Sequence, residues 1–318
     1  MFKVNFPVRN PVLVSDLAQG SAGAPTIQTE GYLALPPGAR QPVPAVVIME
    51  GLGGLIQSRE FAYARKLAGR GYAALVVDSF GSRGAAHLSH PKRALKVTES
   101  MILGDAFGAL QFLARHPRID ASRIFVMGFS YGGMISVLTA YENLRRLYVE
   151  GSPRFAGHVS YYGCSVPRLA EPEATGAPVL MMLGELDRNV CPERSQAIAA
   201  DLRACGTRAD VIVYEDTYHQ WDGEDEERRF VPFSLHRCRF VMEPGYSVRC
   251  ETTGLRMRGL ASRAAMIAAG VGYGYHILRA PEVTERSDAE LFGFLERHSA
   301  LPGQAPAMPH RAAAAAAR

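Results

Sequence analysis

At 318 residues, with 47% apolar and 21% charged side chains, the chain can bury a sizeable core, and wholesale disorder is excluded. Its formal charge of +4, from 35 basic and 31 acidic residues, is scattered without long like-charge runs, which argues against nucleic acid as a partner. No stretch approaches the roughly 18 continuous apolar residues of a membrane span, and MFKVNFPVRNPVLVSDLAQG lacks the apolar core of an export signal, so a cytoplasmic protein is expected. Residues before 43 read as an antiparallel lead-in, with TIQTEGYLAL (26–35) as a strand and PPG (36–38) as its turn. From about residue 43, short β-branched runs alternate with helix-period segments, which predicts βαβ units and a parallel sheet. The strands are PAVVIM (44–49), YAALVVD (72–78), RIFVMG (123–128), HVSYYG (158–163), PVLMML (178–183) and ADVIVYE (209–215). Apolar residues three and four apart predict helices over 57–69 and 98–116, with others from Ser130, over 192–204 and over 287–298.

The alternation breaks between 224 and 275. There FSLHRCRFVMEPGYSVRCETTG (233–254) reads as two strands joined by a turn at Glu243, Pro244 and Gly245, and an Ala-rich helix follows from about 259. The expectation is one domain over 1–318, with 224–275 inserted near the site and a low-complexity, flexible tail over 300–318. The five cysteines, Cys164, Cys191, Cys205, Cys238 and Cys250, form no CxxC pair and no zinc pattern, so thiols are expected in a reducing compartment.

Gly128-Phe129-Ser130-Tyr131-Gly132 is the sole Gly-x-Ser-x-Gly of the chain, and it lies between a predicted strand and a predicted helix. A nucleophile on such a turn needs small neighbours, because the backbone must fold sharply to lift the hydroxyl above the sheet. The alternative is a serine that only caps the helix. A serine hydroxyl attacks at neutral pH only if a base takes its proton, and the base needs a carboxylate to orient it. Asp187, in GELDRNV after the strand PVLMML, fits the acid, with Glu185 as competitor. His219, in DTYHQWDG after ADVIVYE, fits the base.

The oxyanion of a tetrahedral intermediate needs two backbone N–H donors. Tyr131 supplies one, and Leu52, in the turn Glu50-Gly51-Leu52-Gly53-Gly54, is chosen for the second, with Gly51 close behind. That turn has neither Walker A nor GxGxxG spacing, so no phosphate-binding loop is read there. Trp221, two residues after His219, either walls the pocket or packs in the core.

These motifs together resemble the dienelactone hydrolase family of α/β-hydrolases over about residues 26–298. The carriers are VVIMEGLGGL, GYAALVVDSFGSRG, RIFVMGFSYGG, YYGC, GELD and YHQWDG. The resemblance implies an α/β-hydrolase fold and a hydrolase of small-molecule esters or lactones that needs no metal or organic cofactor. Dienelactone hydrolase itself has a cysteine nucleophile, whereas this chain has Ser130. Many relatives carry histidine where Glu50 stands, so Glu50 with Arg83 as partner is expected to line the site or to form an ion pair at the turn. Acyl transfer to another acceptor, peptide cleavage, and ligand binding without catalysis remain alternatives on this scaffold.

Overall fold

The computed structural model describes residues 1–18, 24–149, 151, 153–164 and 166–299. The chain opens with strand β1 (Phe2–Arg9), helix α1 (Val14–Ala18) and strand β2 (Thr26–Ala34), then enters the alternating stretch. This runs β3 (Val43–Met49), α2 (Glu60–Gly69), β4 (Ala73–Asp78), α3 (His90–Lys96), α4 (Glu99–Ala114), β5 (Ile119–Phe129), α5 (Tyr131–Leu138) and α6 (Glu142–Tyr148). It continues with β6 (Gly157–Tyr161), β7 (Pro167–Leu169), β8 (Val179–Gly184), α7 (Pro192–Ala204) and β9 (Ala209–Tyr214). The irregular region holds β10 (Arg229–Val231), β11 (Phe240–Met242), β12 (Val248–Cys250), β13 (Arg256–Met257), α8 (Leu260–Gly270) and β14 (Tyr275–Ile277), and α9 (Pro281–Ser299) follows.

Eight strands form one sheet in the order β1-β2-β4-β3-β5-β6-β8-β9. The lead-in strands β1 and β2 pair antiparallel, and the pairings from β4 to β9 are parallel. Both faces of the sheet are covered, so its central strands are continuously apolar and alternate residues serve opposite layers. In β3, Ala45, Val47 and Met49 join the layer of α4 and α5, while Val46 and Ile48 join the layer of α2 and α9. The family of folds is the one expected, an α/β-hydrolase sheet flanked by helices.

Departures from the expected boundaries have local causes. Helix α9 starts six residues before 287, at Pro281, because proline at the first helical position costs no hydrogen bond and the polar first turns PEVTERSDAE hid the apolar period. In the irregular region the hairpin exists, with β11 and β12 antiparallel around Glu243 and a turn at Pro244–Tyr246, but each strand is three residues long. It belongs to a small sheet in the order β13-β12-β11-β7, in which β11 runs parallel to β7 of the main body. The tail expected over 300–318 lies outside the described residues.

Candidate active site

Ser130 sits between β5 and α5 with φ 53° and ψ −111°, a left-side conformation that a non-glycine residue holds only under constraint. The constraint is steric. A Cβ on Gly128 would lie 2.2 Å from Gly132 O, and one on Gly132 would lie 2.3 Å from Met49 O, so only glycines let β5, α5 and β3 approach this closely. The turn is also tied by the Ser130 N–H to Tyr161 O at 2.9 Å.

Asp187 follows β8 on a turn in which the Leu186 N–H donates to Thr217 O at 2.9 Å, so the acid loop and the histidine loop are joined through their backbones. His219 follows β9 in a loop with positive φ at Asp216 and Gln220. These loops bring the expected side chains together. The His219 Nε2 lies 2.9 Å from Ser130 Oγ, and its Nδ1 lies 2.6 Å from Asp187 Oδ2. The other carboxylate oxygen of Asp187 accepts the Asn189 N–H at 2.7 Å. Ser130, Asp187 and His219 are 5%, 3% and 0% exposed, so water competes little for these bonds. The competing acid is elsewhere: Glu185 Oε2 accepts the Asp216 N–H at 3.0 Å.

The glycine turn after β3 crosses Ser130 on its far side. A Cβ on Gly51 would be 3.2 Å from Phe129 O and 3.7 Å from Ser130 Cβ, and the Gly54 N–H closes the turn onto Gly51 O at 2.9 Å. Arg93 Nη1 donates to Leu52 O at 2.9 Å, which holds the peptide following Leu52. No sequence signal marked Arg93, because its partners here are backbone carbonyls of Leu52, Ala85 and Ala86. The arrangement can pass a proton from a hydroxyl to an imidazole beside a tight turn of backbone amides, which is the chemistry of acyl transfer.

Residues 29–234 match the model of the dienelactone hydrolase family. The chain belongs to this family. An Escherichia coli O157:H7 protein named "Putative carboxymethylenebutenolidase" is 26% identical over 223 residues, covering 64% of this chain and 78% of that protein. The crystal structure of a "Putative Dienelactone Hydrolase" from Klebsiella pneumoniae subsp. pneumoniae superposes with a TM-score of 0.50 at 22% identity, covering 69% of this chain and 88% of that one. A thermophilic esterase from Thermogutta terrifontis gives 0.50 at 18% identity, covering 61% of this chain and 81% of its own. At such identities the two structures speak for the fold. This dienelactone hydrolase family member is a hydrolase of carboxylic esters or lactones.

Two expectations about the site are corrected. Arg83 does not partner Glu50: its guanidinium forks onto Asp105 at 2.8 and 3.0 Å, and its Nε donates to Asn10 Oδ1 at 2.9 Å, which ties α4 to the lead-in. A carboxylate on a neighbouring helix offered the bidentate geometry that guanidinium prefers. Glu50 is instead 2% exposed, accepts the Phe80 N–H at 2.9 Å through Oε1, and makes no hydrogen bond through Oε2. Burial pushes its carboxyl well above the usual range and favours the neutral acid. Trp221 does not wall an open pocket. It is fully buried, its Nε1 donates to Ser287 Oγ at 3.1 Å, and its ring packs on Tyr162 and Tyr214.

Cys164 also borders the site, with Sγ 4.0 Å from Ser130 Oγ, and burial pushes its thiol up to about 12, so it stays protonated. Cys164, Cys205, Cys238 and Cys250 are free thiols, so neither Cys164–Cys191 nor Cys238–Cys250 is bridged. Among the described residues no helix is long and apolar enough to cross a membrane. Residues beyond the family match reach the site too. Arg263 of α8 pairs with Glu99 at 3.0 Å and reaches the Tyr131 hydroxyl at 3.4 Å, and the Leu235 N–H donates to Asn189 Oδ1 at 3.1 Å.

Proposed function

We propose that the protein is a serine esterase or lactonase that works through an acyl-enzyme on Ser130. His219 takes the Ser130 proton as the oxygen attacks the carbonyl carbon, and Asp187 holds the resulting imidazolium. The amides of Tyr131 and Leu52 receive the oxyanion. His219 then gives its proton to the departing alcohol and activates the water that releases the acid. The observation that carries this reading is the unbroken chain of contacts, 2.9 Å from Ser130 Oγ to His219 and 2.6 Å from His219 to Asp187.

The name of the Escherichia coli relative directs the substrate search to lactones as well as open esters. In this reading residues 1–318 form one domain, and 224–275 is an insertion beside the site, which the contacts of Leu235 and Arg263 support. We place the enzyme in the cytoplasm, where the buried thiols Cys164, Cys238 and Cys250 suit a reducing medium.

The test is a screen of p-nitrophenyl esters and lactones of graded acyl size against the wild type and Ser130→Ala, together with fluorophosphonate labelling. Turnover and labelling that both vanish in Ser130→Ala are the expected result. Wild-type protein that neither labels nor turns over any ester or lactone would sink the reading and favour a binding role.

A further inference from the structure

The geometry points to Tyr275 as a positioning residue that holds the His219 imidazole in the relay. This rests on His219 being the base proposed above. An imidazole that must keep one nitrogen on a hydroxyl and the other on a carboxylate turns about a broad, weakly restrained torsion, so packing against its ring decides how long it stays aligned.

Two tyrosine rings contact the imidazole. Tyr162, just after β6, has its ring centroid 4.6 Å away at an interplanar angle of 59°. Its hydroxyl donates to Asp222 Oδ1 at 2.6 Å, so that ring is fixed at its outer end. Tyr275 of β14 lies 4.7 Å away at 73°, edge to face, and is 7% exposed. Tilted and edge-on aromatic contacts at these separations are the favourable kind.

The two rings arrive from different parts of the chain. Tyr162 falls within the family match, whereas Tyr275 lies 41 residues past its end at 234. The segment bearing Tyr275 also takes hold of the histidine loop by its backbone. His219 bridges Ile277 in parallel, the Leu278 N–H reaches His219 O at 3.4 Å, and the Ala280 N–H donates to Trp221 O at 2.8 Å. The loop so gripped carries the left-handed residues Asp216 and Gln220, a shape that persists only when its surroundings impose it. In this protein the segment after the family match therefore completes the seat of the histidine.

The ring of Tyr275, and not its hydroxyl, does this. Tyr275→Ala is expected to lower kcat about 10- to 100-fold with KM within about twofold, and Tyr275→Phe to stay within about twofold of wild type in both. Proton NMR gives a readout independent of turnover. The far-downfield Nδ1 proton of His219, held by Asp187, is expected in wild type and Tyr275→Phe and to be lost to solvent exchange in Tyr275→Ala. Should Tyr275→Ala fail to fold, Tyr275→Leu keeps the bulk without the flat ring and is expected to weaken both signals.

Wild-type kcat and a protected Nδ1 proton in the Ala or Leu variant would overturn the assignment. So would a Phe variant as impaired as Ala, which would move the role to the hydroxyl. If Ser130→Ala retained full turnover, the hydrolase reading itself would fall, while the imidazole resonance would still decide what Tyr275 does.

Discussion

The Ser130 turn and the His219 loop are held in place by different means. Around Ser130 the constraint is local: Gly128 and Gly132 lie within two residues of it, and the strand-to-helix turn follows from their missing side chains. Around His219 the constraint is distant, since the loop has two left-handed non-glycine residues and is gripped by Tyr162, Ile277, Leu278 and Ala280. A side chain can thus be positioned by what its neighbours in sequence lack or by what its neighbours in space supply.

The largest effect expected from breaking this arrangement is chemical. Asp187→Asn should lower kcat about 10⁴-fold by presenting the wrong imidazole tautomer, while Glu185→Gln, whose carboxylate meets the Asp216 N–H, should stay within about threefold. Steady-state kinetics on the best ester checks both. A Glu185 effect as large as that of Asp187 would exchange their roles.

Next, Trp221→Ala should cost about 3 to 5 kcal/mol in urea unfolding, because it empties a fully buried site behind the histidine loop. It should also slow labelling of Ser130, since the Trp221 ring packs on Tyr162, whose own ring lies against the His219 imidazole. The matching break in the Ser130 turn is Gly132→Ala. There the added methyl meets Met49 O, a backbone atom that cannot step aside, so a loss of about 1 to 3 kcal/mol with abolished labelling is expected.

Two titrations sharpen the contrast between the sheet core and the site. His158 is fully buried, with Nδ1 2.9 Å from Thr139 Oγ1, and burial lowers its pKa to about 3. Between about 6.5 and 3 the unfolded chain binds the proton and the folded chain does not, so stability falls as pH falls, by up to about 1.4 kcal/mol per pH unit. His158→Asn should flatten urea midpoints over that window, and an unchanged slope would refute the assignment.

Glu50 has the opposite sign. Its raised pKa means the folded protein holds the proton more tightly, so the stability it contributes is present at low pH and lost as pH rises above about 4.5. Glu50→Gln keeps an acceptor for the Phe80 N–H and should be about 1 kcal/mol more stable than wild type near neutrality, with no difference near pH 4. Equal midpoints at both pH values would show that Glu50 is not held as the acid.

Much of the site could be read before any coordinates, because its signals are local. The strand RIFVMG, the small residues around Ser130 and the order of serine, acid and histidine after successive strands each occupy a few adjacent positions. Parallel-sheet strands buried on both faces announce themselves as apolar runs, so the strands of the main sheet were legible as well, though not their order across it.

What the sequence could not decide were choices among partners. Arg83 could have met Glu50 but meets Asp105, Trp221 could have faced a pocket but packs behind Tyr162, and nothing around Tyr275 marks it as a neighbour of His219. Hydrogen-bond geometry and ring packing between residues tens of positions apart leave no period in the chain. The sequence by itself determined the strands and the order of serine, aspartate and histidine along the chain; the tertiary structure decided how the strands are arranged, which charges pair and which rings enclose the imidazole, since those depend on distances that only folding creates.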